Sequence, residues 1–227
     1  MSDLVTHAAA EADAIGVPIL LDRMARLGEI ESGAYNFYAT RLGRGSLFAN
    51  YELALARRLS EAPERPALVH EIGGGWATLS LLLALVGLNA TALELDRRRF
   101  ETGAILRDAI VARRPDVERR FTLVHARFPS ASLKPDNAAA IATNLVFTTK
   151  PEDRRAIIEA IAQYKSAVID IDRFLARATS EADGNAVVAE FEAAGMRSQT
   201  YLDMAASARF RLFVHDPDAF RAFGSSP

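Results

Sequence analysis

The spacing of apolar positions changes once along the chain. Through the first 60 residues it is helical, most clearly over Asp22–Leu27 and Tyr51–Leu59, where good helix formers carry the polar positions. Gly43, Gly45 and Ser46 break the pattern between these stretches, and Pro63 and Pro66 close the second. Beyond Pro66, short apolar runs alternate with amphipathic helical ones. Ala67–Glu71, Ala90–Leu95, Phe121–Val124, Ala138–Thr143 and Ser166–Ile171 read as strands. Helices are predicted over Thr78–Val86, from an Asp96 cap through Ile110 to about Arg114, up to Tyr164, and over Ala186–Ala194. Thr149-Lys150-Pro151-Glu152 resembles a capping box with proline in the first turn, and Gly195 suits the position just after a helix end.

Strand–helix alternation predicts a parallel sheet covered on both faces. The last two runs depart from it. Met196–Met204 and Ala208–His215 are both strand-like, with only Ala205-Ala206-Ser207 between them, too few residues for a crossover helix. They are expected to form an antiparallel hairpin at one sheet edge. The fold class is therefore α/β, doubly wound, with a mostly parallel seven-stranded sheet and an N-terminal helical extension. The expected division is 1–62 for that extension, a candidate lid, and 63–227 for the sheet domain.

Composition narrows the function. The chain has 227 residues, half of them apolar, and 27 basic against 29 acidic groups, a net charge of -2. That balance offers no footprint for nucleic acid or an anionic membrane surface. The arginine clusters at 97–99, 113–114 and 119–120 lie among acids and read as solvated helix faces. With no cysteine there is no disulfide, thiolate nucleophile or cysteine metal site. No histidine and aspartate stand at metal-ligand spacing, so no metal is expected. The N-terminus lacks the pattern of a signal peptide, and the apolar stretch 79–90 falls short of a membrane span. A cytoplasmic protein working on a small molecule is the expectation, and a homodimer stays open.

The most informative stretch is "HEIGGGWATLS", residues 70–80. A glycine loop after a first strand and before a first helix lies at the carboxyl edge of the sheet, where doubly wound folds bind ligands. Glycines let a ligand lie against the backbone, and the helix N-terminus adds free N–H groups and partial positive charge. Glu94 ends the second strand about 20 residues on, placed to accept from both ribose hydroxyls of a nucleoside. A dinucleotide loop would have a glycine where Thr78 stands, so pyrophosphate fits poorly.

"VHEIGGGWATLSLLLALVGLNATALELD" resembles motif I and the acidic loop of class I S-adenosylmethionine (SAM)-dependent methyltransferases, which share a Rossmann-like fold. Gly73 and Gly75 match the first two glycines of that family's pattern, and Ala77 stands at the third. The late hairpin matches the family's reversed seventh strand, so the resemblance spans about residues 45–216. It implies SAM as cofactor and S-adenosylhomocysteine as product. It places Glu71 near the methionine amino group, Gly73, Gly74 and Gly75 against the methionine and ribose, and Glu94 with Leu95 at the ribose. His125 and Ala126 fall where the family meets adenine, but with histidine in place of the usual acid. Thr143-Asn144-Leu145 falls where residues face the transferred methyl, so Asn144 joins the cofactor-binding set.

Methyl transfer from a sulfonium is an in-line displacement in which positioning supplies much of the acceleration, and a hydroxyl acceptor usually needs a general base. Asn144 and Asp170 are the candidates for handling the acceptor. Asn144 equally suits a turn, while Asp172 suits a helix cap better than catalysis. Tyr35-Asn36-Phe37-Tyr38 is an aromatic cluster in the extension; Phe37 suits packing, and Tyr38 and Arg41 are the candidate substrate contacts. Two other readings keep the nucleoside pocket: an aminopropyltransferase-like enzyme, disfavoured by the lack of acids from Asn137 to Lys150, and a non-catalytic partner subunit. A nicotinamide-dependent reductase would need the pyrophosphate site that the loop does not offer.

Overall fold

A computed structural model describes residues 3–26, 33–143, 145, 154–174, 181–204 and 209–223, with backbone alone at 26, 33–37 and 181–183. Three helices lead, α1 (Leu4–Arg26), α2 (Gly33–Gly43) and α3 (Asn50–Ser60). Then come β1 (Leu68–Ile72), α4 (Thr78–Leu85), β2 (Ala90–Glu94), α5 (Arg97–Val111), β3 (Phe121–His125), β4 (Ala138–Ala142), α6 (Arg154–Ile161) and β5 (Ser166–Asp170). The chain closes with α7 (Glu181–Ala193), β6 (Arg197–Asp203), β7 (Arg209–Val214) and the short α8 (Ala219–Ala222).

The seven strands form one sheet in the order β3-β2-β1-β4-β5-β7-β6. The first five are mutually parallel; β7 runs antiparallel to both β5 and β6. This is the expected mostly parallel sheet with a reversed hairpin at its edge. The strand order turns back between β1 and β4, which places the carboxyl ends of β1 and β2 and the loop after β1 at the topological switch point.

Strand side chains alternate between two cores with period two. Ala139, Ile141, Val168, Leu212 and Val214 enter the core shared with α1, α3, α4 and α5. Ala138, Ala140, Ala142, Ala167, Ile169 and Phe213 enter the one shared with α6 and α7. β4 reads Ala-Ala-Ala-Ile-Ala and every residue of it is buried. Its small side chains let the two helical layers approach the middle of the sheet.

Sequence signals account for several boundaries. Asp96 caps α5 by accepting from Arg99 N at 2.9 Å, as expected. Gly195, just past α7, has φ +89°. The capping box at 149–152 and the turn at 205–207 lie outside the described residues. α1 carries one reading the sequence analysis missed: 22 of its residues (mean hydropathy 1.4) are long and apolar enough to cross a membrane by length and composition alone. Here its buried side chains, among them Val5, Ala12 and Leu20, join the core with α3, α4 and α5.

Candidate functional site

The glycine loop joins β1 to α4 at the carboxyl edge of the sheet. Gly73 and Gly75 hold positive φ (72° and 61°), a region side chains disfavour. Gly74 is needed for a different reason: a Cβ there would sit 3.2 Å from both the Glu71 carboxylate and the Ala92 methyl. Ala77, at the third position of the motif, is also left-handed, with φ 58° and ψ 32°, and it serves as N-cap of α4 without a side chain that can cap.

Three buried carboxylates on three different elements hold this segment. Glu94, ending β2, accepts from Gly75 N and from Asp96 N, each at 2.7 Å and each on a different oxygen. Glu71, in β1, accepts on Oε2 from Ser80 N at 3.0 Å and Ser80 Oγ at 2.6 Å. It thus supplies the cap that Ala77 cannot. Glu52, in α3, accepts from Thr78 Oγ1 at 2.8 Å on Oε1. On Oε2 it takes Arg41 Nη1 at 2.6 Å and Ala49 N at 2.7 Å.

Crowding negative charge in a dry place has a titration signature. Burial pushes the Glu71 carboxyl up to about 8, the Ser80 bonds oppose this, and Glu52 and Glu94 add to it. Burial also raises Glu94, while the amides of Asp96 and Gly75 pull it back. The N-terminus of α4, Arg41 at Glu52 and Arg99 toward Glu94 are positive counterweights.

The other predicted positions fall around this loop. Leu95, 43% exposed, follows Glu94 as an open apolar surface. His125 ends β3 beside it, with Nε2 on Leu95 O at 2.9 Å and its ring stacked on Phe100 at 5.1 Å. Ala126 N donates to Glu94 O at 3.1 Å. Glu94, Leu95, His125 and Ala126 thus form one continuous edge beyond Gly75. Asn144 lies outside the described residues, while Thr143 at its side is buried.

Asp170 ends β5 on the same edge and is fully buried. Its Oδ1 accepts from Asp172 N at 3.1 Å; its Oδ2 has no hydrogen-bond donor among the described residues and lies 3.9 Å from Arg173 Nε. Burial pushes its carboxyl up to about 7, against the pull of Arg173. Asp172 is held by Arg209, in β7, which grips both its oxygens at 3.0 Å or less; residues 175–180 that follow lie outside the described ones.

Tyr38 and Arg41 gather at the glycine loop. Tyr38 stacks on Trp76, with ring centroids 3.8 Å apart and planes at 19°, and its hydroxyl accepts from Trp76 N at 3.4 Å. The Arg41 guanidinium lies 4.7 Å from the Tyr38 ring centre. The side chains of Tyr35, Asn36 and Phe37 lie outside the described residues. Sequence reasoning passed over Glu52, Trp76, Thr78 and Ser80. Glu52 left a trace: it shares the buried face of α3 with Leu55, Ala56 and Leu59, a charge in an apolar stripe.

No protein-family model matches the chain, and no curated protein matches it in sequence. Solved structures do match in fold. A TehB-like SAM-dependent methyltransferase from Corynebacterium glutamicum aligns at TM-score 0.55 and 14% identity, over 81% of this chain and 97% of that one. The glycopeptide N-methyltransferase MtfA complexed with sinefungin aligns at TM-score 0.56 and 14% identity, over 74% and 86%. Magnesium protoporphyrin IX methyltransferase from Synechocystis with bound SAM aligns at TM-score 0.52 and 14% identity, over 74% and 86%. The fold is that of the class I SAM-dependent methyltransferases.

Proposed function

We propose that this chain is a SAM-dependent methyltransferase acting on a small-molecule acceptor at oxygen or nitrogen. One observation carries the reading: Glu94 closes on Gly75 N at the switch point of a 3-2-1-4-5-7-6 sheet, which puts a carboxylate and a bare backbone where a nucleoside lies. Each Glu94 oxygen has used one lone pair on an amide, and a carboxylate has about four, so acceptor capacity remains for two ribose hydroxyls. Leu95 offers an apolar face to adenine, with His125 and Ala126 at its rim. Glu71, beneath the loop, would hold the methionine ammonium of such a ligand. A ligand bearing an ammonium and a sulfonium suits a loop ringed by three buried carboxyl groups, because positive charge offsets the burial that raises Glu71 and Glu94. The known structures named above show this fold in methyltransferases of varied substrates, which supports the reaction class without choosing the substrate.

SAM, when bound, supplies an already activated methyl group. The chain's part is to hold the acceptor in line and manage its proton. Asp170 is suited to that task. Its Oδ2 is held dry and open to a donor, and a carboxyl near 7 can accept a proton from a hydroxyl or ammonium acceptor at neutral pH. Asn144, two residues past β4 in sequence, is the proposed companion. Calorimetric titration with SAM, S-adenosylhomocysteine, decarboxylated SAM and NADH tests the reading. Binding of the first two alone supports it. Preference for the decarboxylated compound moves the assignment to aminopropyl transfer, and binding of none removes it.

A further inference from the structure

Tyr38 makes two contacts with the glycine loop. The phenol ring lies flat on Trp76, and its hydroxyl takes the Trp76 amide. That hydroxyl also sits against the bare face of Gly75, so closely that a Cβ on Gly75 would run into it. Arg41, one helical turn on, lies by the Tyr38 ring and is bound to Glu52 at 2.6 Å. Glu52 in turn holds Thr78, the first residue of the helix that follows the loop. The path Gly75–Tyr38–Arg41–Glu52–Thr78 is a closed ring joining α2 and α3 to α4. Every link is buried or half-buried, and Arg41 and Glu52 are 8% and 4% exposed.

We propose that this ring is a latch that occludes the cofactor loop. Tyr38 fills the surface of Gly75 that a nucleoside ligand needs, the Arg41–Glu52 pair holds it there, and admission requires α2 to lift Tyr38 away. A Cβ on Gly75 would already collide with the Tyr38 hydroxyl, so a ligand atom lying on that face of Gly75 and the hydroxyl exclude each other. The ligand-bound state is then a minor conformer of the free protein, and its measured affinity is reduced by the fraction of molecules that are open. Glu52 acts as a positioning residue through Arg41. The identity of the ligand rests on the function proposed above; the latch itself does not.

Trp76 is the chain's single tryptophan, so its fluorescence reports the latch directly. The first arm uses ligand-free protein: acrylamide quenching of Trp76 in the wild type, Glu52→Gln and Arg41→Met, with melting curves to confirm folding. Quenching is expected to rise in both variants as Tyr38 leaves the indole; unchanged quenching in folded variants overturns the latch. The second arm measures S-adenosylhomocysteine affinity in Tyr38→Phe, which removes only the obstructing hydroxyl. Losing a hydrogen bond of the usual net worth from the closed state gives about fivefold tighter binding. Equal or weaker binding makes the hydroxyl a ligand contact or a bystander and overturns the proposal. If no variant binds the nucleoside, the functional reading fails, and the latch stands or falls on the quenching arm.

Discussion

Glu94 and Gly75, 19 residues apart in sequence, meet in a 2.7 Å hydrogen bond in which a strand-end carboxylate takes the amide of a left-handed glycine. The other Glu94 oxygen takes Asp96 N, so one side chain ties the glycine loop to the start of α5. Glu94→Ala therefore leaves two backbone donors without their acceptor. It is expected to destabilise the fold by about 1–3 kcal/mol besides abolishing nucleoside binding. Urea midpoints read alongside calorimetry check this; full stability with lost binding would mean that Glu94 serves the ligand alone. Gly75→Val is a poorer probe of binding, because it meets both a positive φ and the Tyr38 hydroxyl.

Ala77 occupies a left-handed conformation that an L-residue adopts at a cost of roughly 1–2 kcal/mol, partly regained by its lower unfolded-state freedom relative to glycine. Ala77→Gly is expected to stabilise the protein by about 0.5–1 kcal/mol, seen as a rise in thermal midpoint. A fall would show that the methyl group's packing outweighs the backbone conformation.

Stability should decline as pH rises toward 8. Folded, Glu71 keeps its proton up to about pH 8; its ordinary value is 4.5. The folded state therefore binds more protons across that window. The resulting stabilisation is complete below about pH 4.5 and is lost as pH climbs to about 8. Asp170 adds the same sign of dependence from 3.8 to about 7. Glu71→Gln keeps an acceptor for Ser80 and should flatten the profile, most visibly near pH 8, where Asp170 is largely titrated. Denaturation midpoints across pH in the two proteins make the comparison.

Arg41→Met strands Glu52 in a dry site with its two remaining donors. Removing one partner of a buried pair costs about 3–5 kcal/mol. Combining it with Glu52→Gln removes the stranded charge, so the double variant should be more stable than Arg41→Met alone. A double-mutant cycle in urea gives the coupling, and additive losses would show that the pair contributes no coupling.

The sheet was legible because its signals are local. Short apolar runs, the Asp96 cap and the short link between the last two strands need only neighbouring residues, and β1 to β7 fall within a residue or two of expectation. Gly73, Gly75 and Glu94 were legible because the loop and the strand end obey a fixed spacing. Glu52 was legible only as a charge in the apolar stripe of α3, because its partner Thr78 is 26 residues away. Separation in sequence also hides the partners of Tyr38, bound to Trp76 across 38 residues, and of Asp172, taken by Arg209 across 37. The topology that sets β7 beside β5 is what brings Arg209 to Asp172.

Residues 75, 78 and 80 rest on Glu94, Glu52 and Glu71, which stand on β2, α3 and β1. Three feet on separate bases make a tripod, the smallest support that fixes a plane without redundancy. Slackening one foot does not let the segment sink evenly; it tilts about the line through the other two. Loss of Glu52 and loss of Glu94 should thus turn the loop about different axes, the first swinging the start of α4 and the second the glycine end. Two variants of similar stability can then distort the same surface in different directions.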